Sequence, residues 1–320
     1  MACHDSSLRP FRRLAGPELP MSVELRIALL IGLFAAGYLA RRLGWLAPPQ
    51  AGRMLQLVIT VGLPALFLAD VSRIPLQREL IALPLSGVLI IVATLGLSLL
   101  LGRVLQLPRA EQGALTICGM SINNGFLFPF VIAVWGQVGF AHMALFDLGN
   151  ALCAGSLVYG IAAWYGGHGT GFGPILRRVA SFPPLWALIA ALALNGAGIA
   201  LPDLAVTVLG TVGRLILLLV IVALGVLFDA RLLLDGRVLA TLGLRVVAGL
   251  ALGFCCVWLF SLEGLMRSVV LLGSAAPIGF SAVVIANREH LHRELAASAA
   301  SISVLLALAY VPLALWLLPH

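Results

Sequence analysis

The sequence predicts an all-α integral membrane protein of ten transmembrane helices in two inverted five-helix repeats, and three observations carry that reading. Hydrophobic residues make up 61% of the chain and charged residues only 10%, with a mean hydropathy of +1.08, far outside the globular range. Polar or Gly/Pro punctuation divides the 320 residues into about ten apolar stretches, each close to the roughly 20 residues that a hydrocarbon core requires. The fourth and ninth stretches are interrupted in the middle, by Asn123-Asn124-Gly125-Phe126 with Pro129 and by Pro277-Ile278-Gly279-Phe280.

Taken in order, the stretches fall near residues 24–40, 55–70, 79–101, 113–134, 141–164, 182–200, 207–228, 239–260, 267–286 and 297–318. Residues 1–22 read as a polar N-terminal tail, 23–164 as the first repeat, 165–181 as a cytoplasmic linker around the Gly-rich run Gly166–Gly171, and 182–320 as the second repeat. The tail has no apolar core or small-residue cleavage site, so it does not read as a signal peptide, and Met21 offers an alternative start. Five spans per half give the halves opposite orientations. Laying Ser121-Ile122-Asn123-Asn124-Gly125-Phe126 over Ala275-Ala276-Pro277-Ile278-Gly279-Phe280 makes Gly and Phe coincide at the breaks. Inverted repeats whose discontinuous helices meet near the midplane are a recurring transporter architecture.

The net charge of +7 does not signal a nucleic-acid partner, because the Arg residues lie singly or in pairs between apolar stretches. They act as topology signals. The odd-numbered loops hold Arg41, Arg42, Arg53, Arg103, Arg109, Arg177, Arg178, Arg231, Arg237, Arg288 and Arg293, whereas the even-numbered loops hold Arg73, Arg78 and Arg267. Odd loops are therefore expected in the cytoplasm and both termini in the periplasm, against the local pull of Arg9, Arg12, Arg13 and Arg26. The chain has no Lys and is rich in Ala, Leu, Gly and Arg, a composition that suggests a GC-rich bacterial genome and an inner membrane.

Catalytic and cofactor chemistry find no foothold. Cys118, Cys153, Cys255 and Cys256 read as small apolar fillers, and Cys3 lies in the tail, with no C-x-x-C pair. His290 and His292 sit in a charged turn with Arg288, Glu289, Arg293 and Glu294, where a solvated cytoplasmic loop explains the residues better than a metal site. No metal, no cofactor and no enzyme constellation is expected. A channel would call for rings around a symmetric pore, whereas opposed breaks suit alternating access. A sensor that binds without transporting remains the alternative.

The breaks carry the functional expectation. Interrupted helices expose N-termini with partial positive charge and free N–H donors, so an anion can be held there without an Arg. Asn123 and Asn124 add amide groups, Ser121, Ser274 and Ser281 hydroxyls, and Gly125 and Gly279 allow close backbone approach, while Pro129 and Pro277 free upstream carbonyls. Asp147 and Asn150, at i and i+3, share a helical face, and Asp147 either carries a coupling proton or orients the site, or else caps or pairs structurally. Asp70 is expected in an interfacial ion pair with Arg73. Arg214 and Arg245 are expected to snorkel, or, for Arg214, to face a cavity as partner of a substrate carboxylate. Sodium coupling ranks below proton coupling or uniport because neither break contains Asp or Glu.

These residues also resemble a known family, the auxin efflux carriers of the bile/arsenite/riboflavin transporter superfamily. The likeness rests on Leu63-Pro64-Ala65-Leu66-Phe67, Asn123-Asn124-Gly125-Phe126 with Pro129, Leu145-Phe146-Asp147-Leu148-Gly149-Asn150, Ala275-Ala276-Pro277 running to Ala286-Asn287-Arg288-Glu289, and Glu294-Leu295-Ala296-Ala297-Ser298 with Ser303 and Pro312-Leu313. Arg214 departs from the family pattern. The resemblance implies ten helices in two inverted repeats, crossing of the broken fourth and ninth, a scaffold part and a moving transport part, a homodimer, and small organic anions such as carboxylates as substrates.

Overall fold

A backbone that crosses hydrocarbon must satisfy its own N–H and C=O groups, and this chain does so with helices. The computed structural model describes residues 21–167, 171–229, 232 and 234–318. The first half contains α1 (Val23–Arg42), α2 (Pro48–Arg73), α3 (Arg78–Val104), α4 (Arg109–Met120) and α5 (Asn124–Tyr165). The second contains α6 (Phe172–Ala180), α7 (Pro183–Gly196), α8 (Asp203–Leu227), α9 (Gly236–Leu259), α10 (Gly264–Ser274), α11 (Phe280–Arg288) and α12 (Arg293–Leu317). Among the described residues there is no strand, only an isolated antiparallel bridge between Ile122 and Ile278. The polar tail lies outside the described residues apart from Met21 and Ser22, and Ser22 caps α1 by accepting the Leu25 N–H at 3.3 Å.

Each of the ten apolar stretches falls on helix, yet helix length and apolarity give seven candidate spans, or eight when the bent pair α6–α7 counts as one. The difference has local causes. The ninth stretch is split into α10 and α11, of 11 and 9 residues, and the fourth is split after the 12-residue α4. Its second half runs on into the fifth stretch as the 42-residue α5. That helix is sharply broken at Gly136, whose φ of 64° and ψ of −155° lie outside helical space and favour glycine. The stretch read as a linker contains α6, which meets α7 at 59°, with Pro183 and Pro184 opening the second helix.

The helices pack in two groups. In one, α8 lies against α1 and α2, and α7 covers α2; in the other, α3, α4, α5, α9, α10, α11 and α12 pack on one another. The groups meet chiefly along α5, where Phe67 of α2 stacks with Phe128 and Phe140. Without a hydrophobic drive between helices in lipid, close packing depends on small residues. Two reciprocal glycine contacts supply it. A Cβ on Gly37 would stand 2.2 Å from the Val222 carbonyl oxygen and one on Gly225 2.1 Å from that of Phe34, locking α1 to α8. The same arrangement joins α3 to α5, with Gly87 facing Phe146 and Gly149 facing Pro84 at 2.7 and 2.1 Å.

Gly225→Ala is therefore expected to lower the thermal stability of the purified protein by about 1–3 kcal/mol, the usual cost of overpacking. Gly32→Ala, where a Cβ meets nothing within 4 Å, is the control and should leave the melting temperature unchanged or slightly raised. Equal melting temperatures for the two variants would refute the close-contact account.

Candidate functional site

Helix ends leave up to four N–H and four C=O groups unpaired, and at membrane depth no bulk water takes them up. The ends of α4 and α10 and the starts of α5 and α11 solve this by meeting. Asn123 N–H donates to the Pro277 carbonyl at 3.0 Å and Gly279 N–H to the Ser121 carbonyl at 3.1 Å, which sets Ile122 opposite Ile278. Side chains take up further groups. Ser303 of α12 accepts the Ile278 N–H at 2.9 Å, Tyr310 donates to the Ala275 carbonyl, and Asn150 Nδ2 donates to that of Ile122 at 3.3 Å. Arg245 of α9 donates from Nη1 to the Gly119 carbonyl at 3.0 Å, from Nε to Ala276 at 3.2 Å and from Nη2 to Ser274.

A polar cluster sits beside this crossing. Asp147 Oδ1 accepts from Asn124 Nδ2 at 2.8 Å and from Asn150 Nδ2 at 2.7 Å, and Asp147 retains partial exposure. A carboxylate oxygen must receive the amide N–H groups, so both Asn side chains turn their carbonyl oxygens away from it. Asn124 Oδ1 and Asn150 Oδ1 are buried without a partner, as is Asn123 Nδ2, while Asn123 Oδ1 caps α5 by accepting the Phe126 N–H at 3.2 Å. Buried polar atoms left unpaired are costly. Two of them belong to the asparagines that hold Asp147, and the third to the neighbouring Asn123.

The remaining sequence candidates are dispersed. Ser121 is buried and contributes its carbonyl to the bridge; Ser274 is fully buried, its hydroxyl bonded back to Leu271 at 2.9 Å. Pro277 and Gly279 are buried and engaged through backbone, Gly125 is half-buried, and Ser281 is exposed. Arg214 lies 3.9 Å from Asp70, its side chain one-third exposed, whereas Arg73 pairs with Asp203 at 2.7 Å. The Asp70–Arg73 pair expected from sequence is thus replaced by two pairs that tie α2 to α8. Asp70 lies inside the protein while Arg73 turns outward on the short 3-10 turn that ends α2. Snorkelling of Arg245 is also overturned, because its side chain is wholly buried against backbone carbonyls. Glu289, placed in a solvated turn by the sequence, is 6% exposed.

An open cavity of about 870 Å³ enters between the two helix groups on the face of the odd-numbered loops. Arg41, Asp229, His292, Ser298 and Ser301 line it, and so does Phe280, the residue that follows the second break. Among the described residues no group of three His, Cys, Asp or Glu side chains is placed to hold a metal ion.

Apolar multi-span helices, two opposed breaks and an opening toward one of them define a membrane protein of transporter type. Residues 23–165 match the family described as Membrane transport protein. An uncharacterized transporter of Methanothermobacter thermautotrophicus is 28% identical over 91% of this chain and 97% of its own length. One of Methanocaldococcus jannaschii is 26% identical over 94% of this chain and 99% of its own. These matches bear out the resemblance to the auxin efflux carrier family and support a multi-pass membrane protein of transporter type, similar to that family over residues 23–165.

Sequence reasoning named Arg245 and Ser303 without placing them at the breaks, and missed Tyr310. For Arg245 a signal existed: Gly249 and Gly253 follow at i+4 and i+8, and a Cβ on them would stand 2.5 Å from the Ser274 carbonyl oxygen and 2.2 Å from its Oγ. A charge followed by two glycines on one helix face marks where another backbone comes close. Asn150→Leu removes the donor to both Ile122 and Asp147, and should cost about 1–3 kcal/mol of stability. A thermal melt of the purified variant tests this, with exposed Ser281→Ala expected to match wild type.

Proposed function

We propose that the protein is a secondary transporter that moves a small organic anion, a carboxylate, by alternating access with proton coupling through Asp147. The observation that carries this reading is the cluster of unspent polar atoms on Asn123, Asn124 and Asn150 beside Asp147, at the meeting point of two broken helices. Substrate contacts are assigned to Asn123, Asn124 and Asn150 with the backbone at Ser121, Gly125, Pro277 and Gly279, and the helix starts at Asn124 and Phe280 supply positive dipole ends. Arg214 serves as counter-charge to Asp70 in the resting state and is available to a substrate carboxylate only if that pair opens.

Coupling follows from the chemistry of the cluster. On the asparagines that hold Asp147 the free side-chain atoms are two acceptors, Asn124 Oδ1 and Asn150 Oδ1, and the neighbouring Asn123 adds one free donor, Nδ2. An incoming carboxylate is repelled by an ionised Asp147 and finds few donors. A proton on Asp147 removes the charge and adds an O–H donor. Anion and proton therefore load together.

The architecture belonging to this proposal is ten spans in two inverted five-helix repeats. Support comes from the length of α5, about twice what one crossing needs, and from its break at Gly136. The division into α1, α2, α7 and α8 against the remaining helices supplies a scaffold and a mobile part, with the cavity between them. The Arg distribution supports a cavity that opens to the cytoplasm, with both termini in the periplasm of a bacterial inner membrane. A homodimer formed through the scaffold completes the proposal.

A thermal-shift screen against small mono- and dicarboxylates should find selective stabilisation of the wild type, since a ligand that binds the folded state raises its melting temperature. Asn124→Ala should remain folded and lose that stabilisation. In proteoliposomes, the stabilising carboxylate should exchange in counterflow; saturable binding without exchange would make the protein a receptor instead. Asp147→Asn should keep exchange while losing stimulation by a proton gradient, and unchanged gradient dependence would remove Asp147 from coupling.

A further inference from the structure

Arg245 is a full charge buried within the span α9, and every hydrogen bond it makes ends on a backbone carbonyl. Those carbonyls are the terminal ones of two half-helices, Gly119 near the end of α4 and Ser274 at the end of α10, joined by Ala276 in the second break. Each helix C-terminus carries roughly half a negative charge. Two of them converging in a low-dielectric interior repel each other unless a cation lies between. In transporters built from broken helices, such converging carbonyls are a coordination shell for a coupling cation. Here the shell is filled by the guanidinium.

The local sequence is arranged for that purpose. Arg245 sits on the π-helical turn Gly243–Ala248, and π turns redirect side chains at functional positions. Gly249 and Gly253 allow the end of α10 to approach α9 closely enough for the guanidinium to reach both half-helices. A planar group with five donors can serve carbonyls from two chain segments at once, which a single ammonium does less well.

We infer that Arg245 is a resident cation of the crossing, standing where a mobile sodium ion would otherwise be bound, so that it positions the two half-helices and makes the crossing independent of sodium. Arg245 touches carbonyls and no part of the asparagine–aspartate cluster, so its role is to position. The claim concerns the folded crossing and is tested without substrate.

The test compares the wild type, Arg245→Lys and Arg245→Met in detergent, with melting temperature read in sodium chloride or choline chloride at equal ionic strength, and with millimolar methylguanidinium. Wild type should melt at the same temperature in both salts. Arg245→Met should lose several degrees and recover part of the loss with methylguanidinium or sodium, while Arg245→Lys should retain most of the stability with neither. A Met variant that does not fold beside a Lys variant that does gives the same support. Selective stabilisation of the wild type by sodium, equal stability of the Lys and Met variants, failure of both to fold, or a folded Met variant insensitive to both cations would each overturn the inference.

Discussion

Everything in this protein turns on one electrostatic and steric problem, the disposal of backbone polar groups where two helices stop inside a membrane. An unpaired N–H or C=O in hydrocarbon costs several kcal/mol, so two breaks would be prohibitive in isolation. Brought together, they pair through the bridge between Ile122 and Ile278 and draw on Asn150, Arg245, Ser303 and Tyr310 for the groups left over. Helices α5, α9 and α12 are thus required by the breaks as well as by packing.

From that requirement come the features of the site. The side chains that solvate the breaks are fixed by backbone, which leaves the Asn123, Asn124 and Asn150 amides only partly used. These unspent polar atoms beside a carboxylate are what the proposed site rests on. Meanwhile the reciprocal glycine contacts hold α1 to α8 and α3 to α5 within separate groups. The groups touch mainly along α5, and a cavity opens between them.

The helical course was legible because apolar runs of membrane length have few other options: the stretches 24–40, 55–70 and 79–101 lie within α1, α2 and α3. Both breaks were legible from Asn, Gly and Pro, and the i, i+3 spacing of Asp147 and Asn150 became a 2.7 Å hydrogen bond. Long-range partners were not. The placement of Arg245 depends on which helix lies across from it, and an Arg two turns from a helix end reads as snorkelling until that neighbour is known. Asp70 looked paired with Arg73 because they are three residues apart, yet the turn that ends α2 sends Arg73 to Asp203 and leaves Arg214 beside Asp70. The fusion of two stretches into α5 was hidden for the opposite reason, since Gly136 reads as a loop residue although helix continues on both sides.

The pairing of the two breaks admits a direct test. Ile122 and Ile278 form a non-hydrogen-bonded antiparallel pair, because the flanking bonds run from Asn123 to Pro277 and from Gly279 to Ser121. Such pairs hold Cα atoms about 4.5 Å apart, within the range of a disulfide. In a chain with its native cysteines replaced, Ile122→Cys with Ile278→Cys and a protease site inserted after Gly171, a membrane-permeant oxidant should leave the two halves joined after cleavage, and a reductant should release them. Halves that separate without reduction, although each cysteine is shown to react by itself, would contradict the crossing.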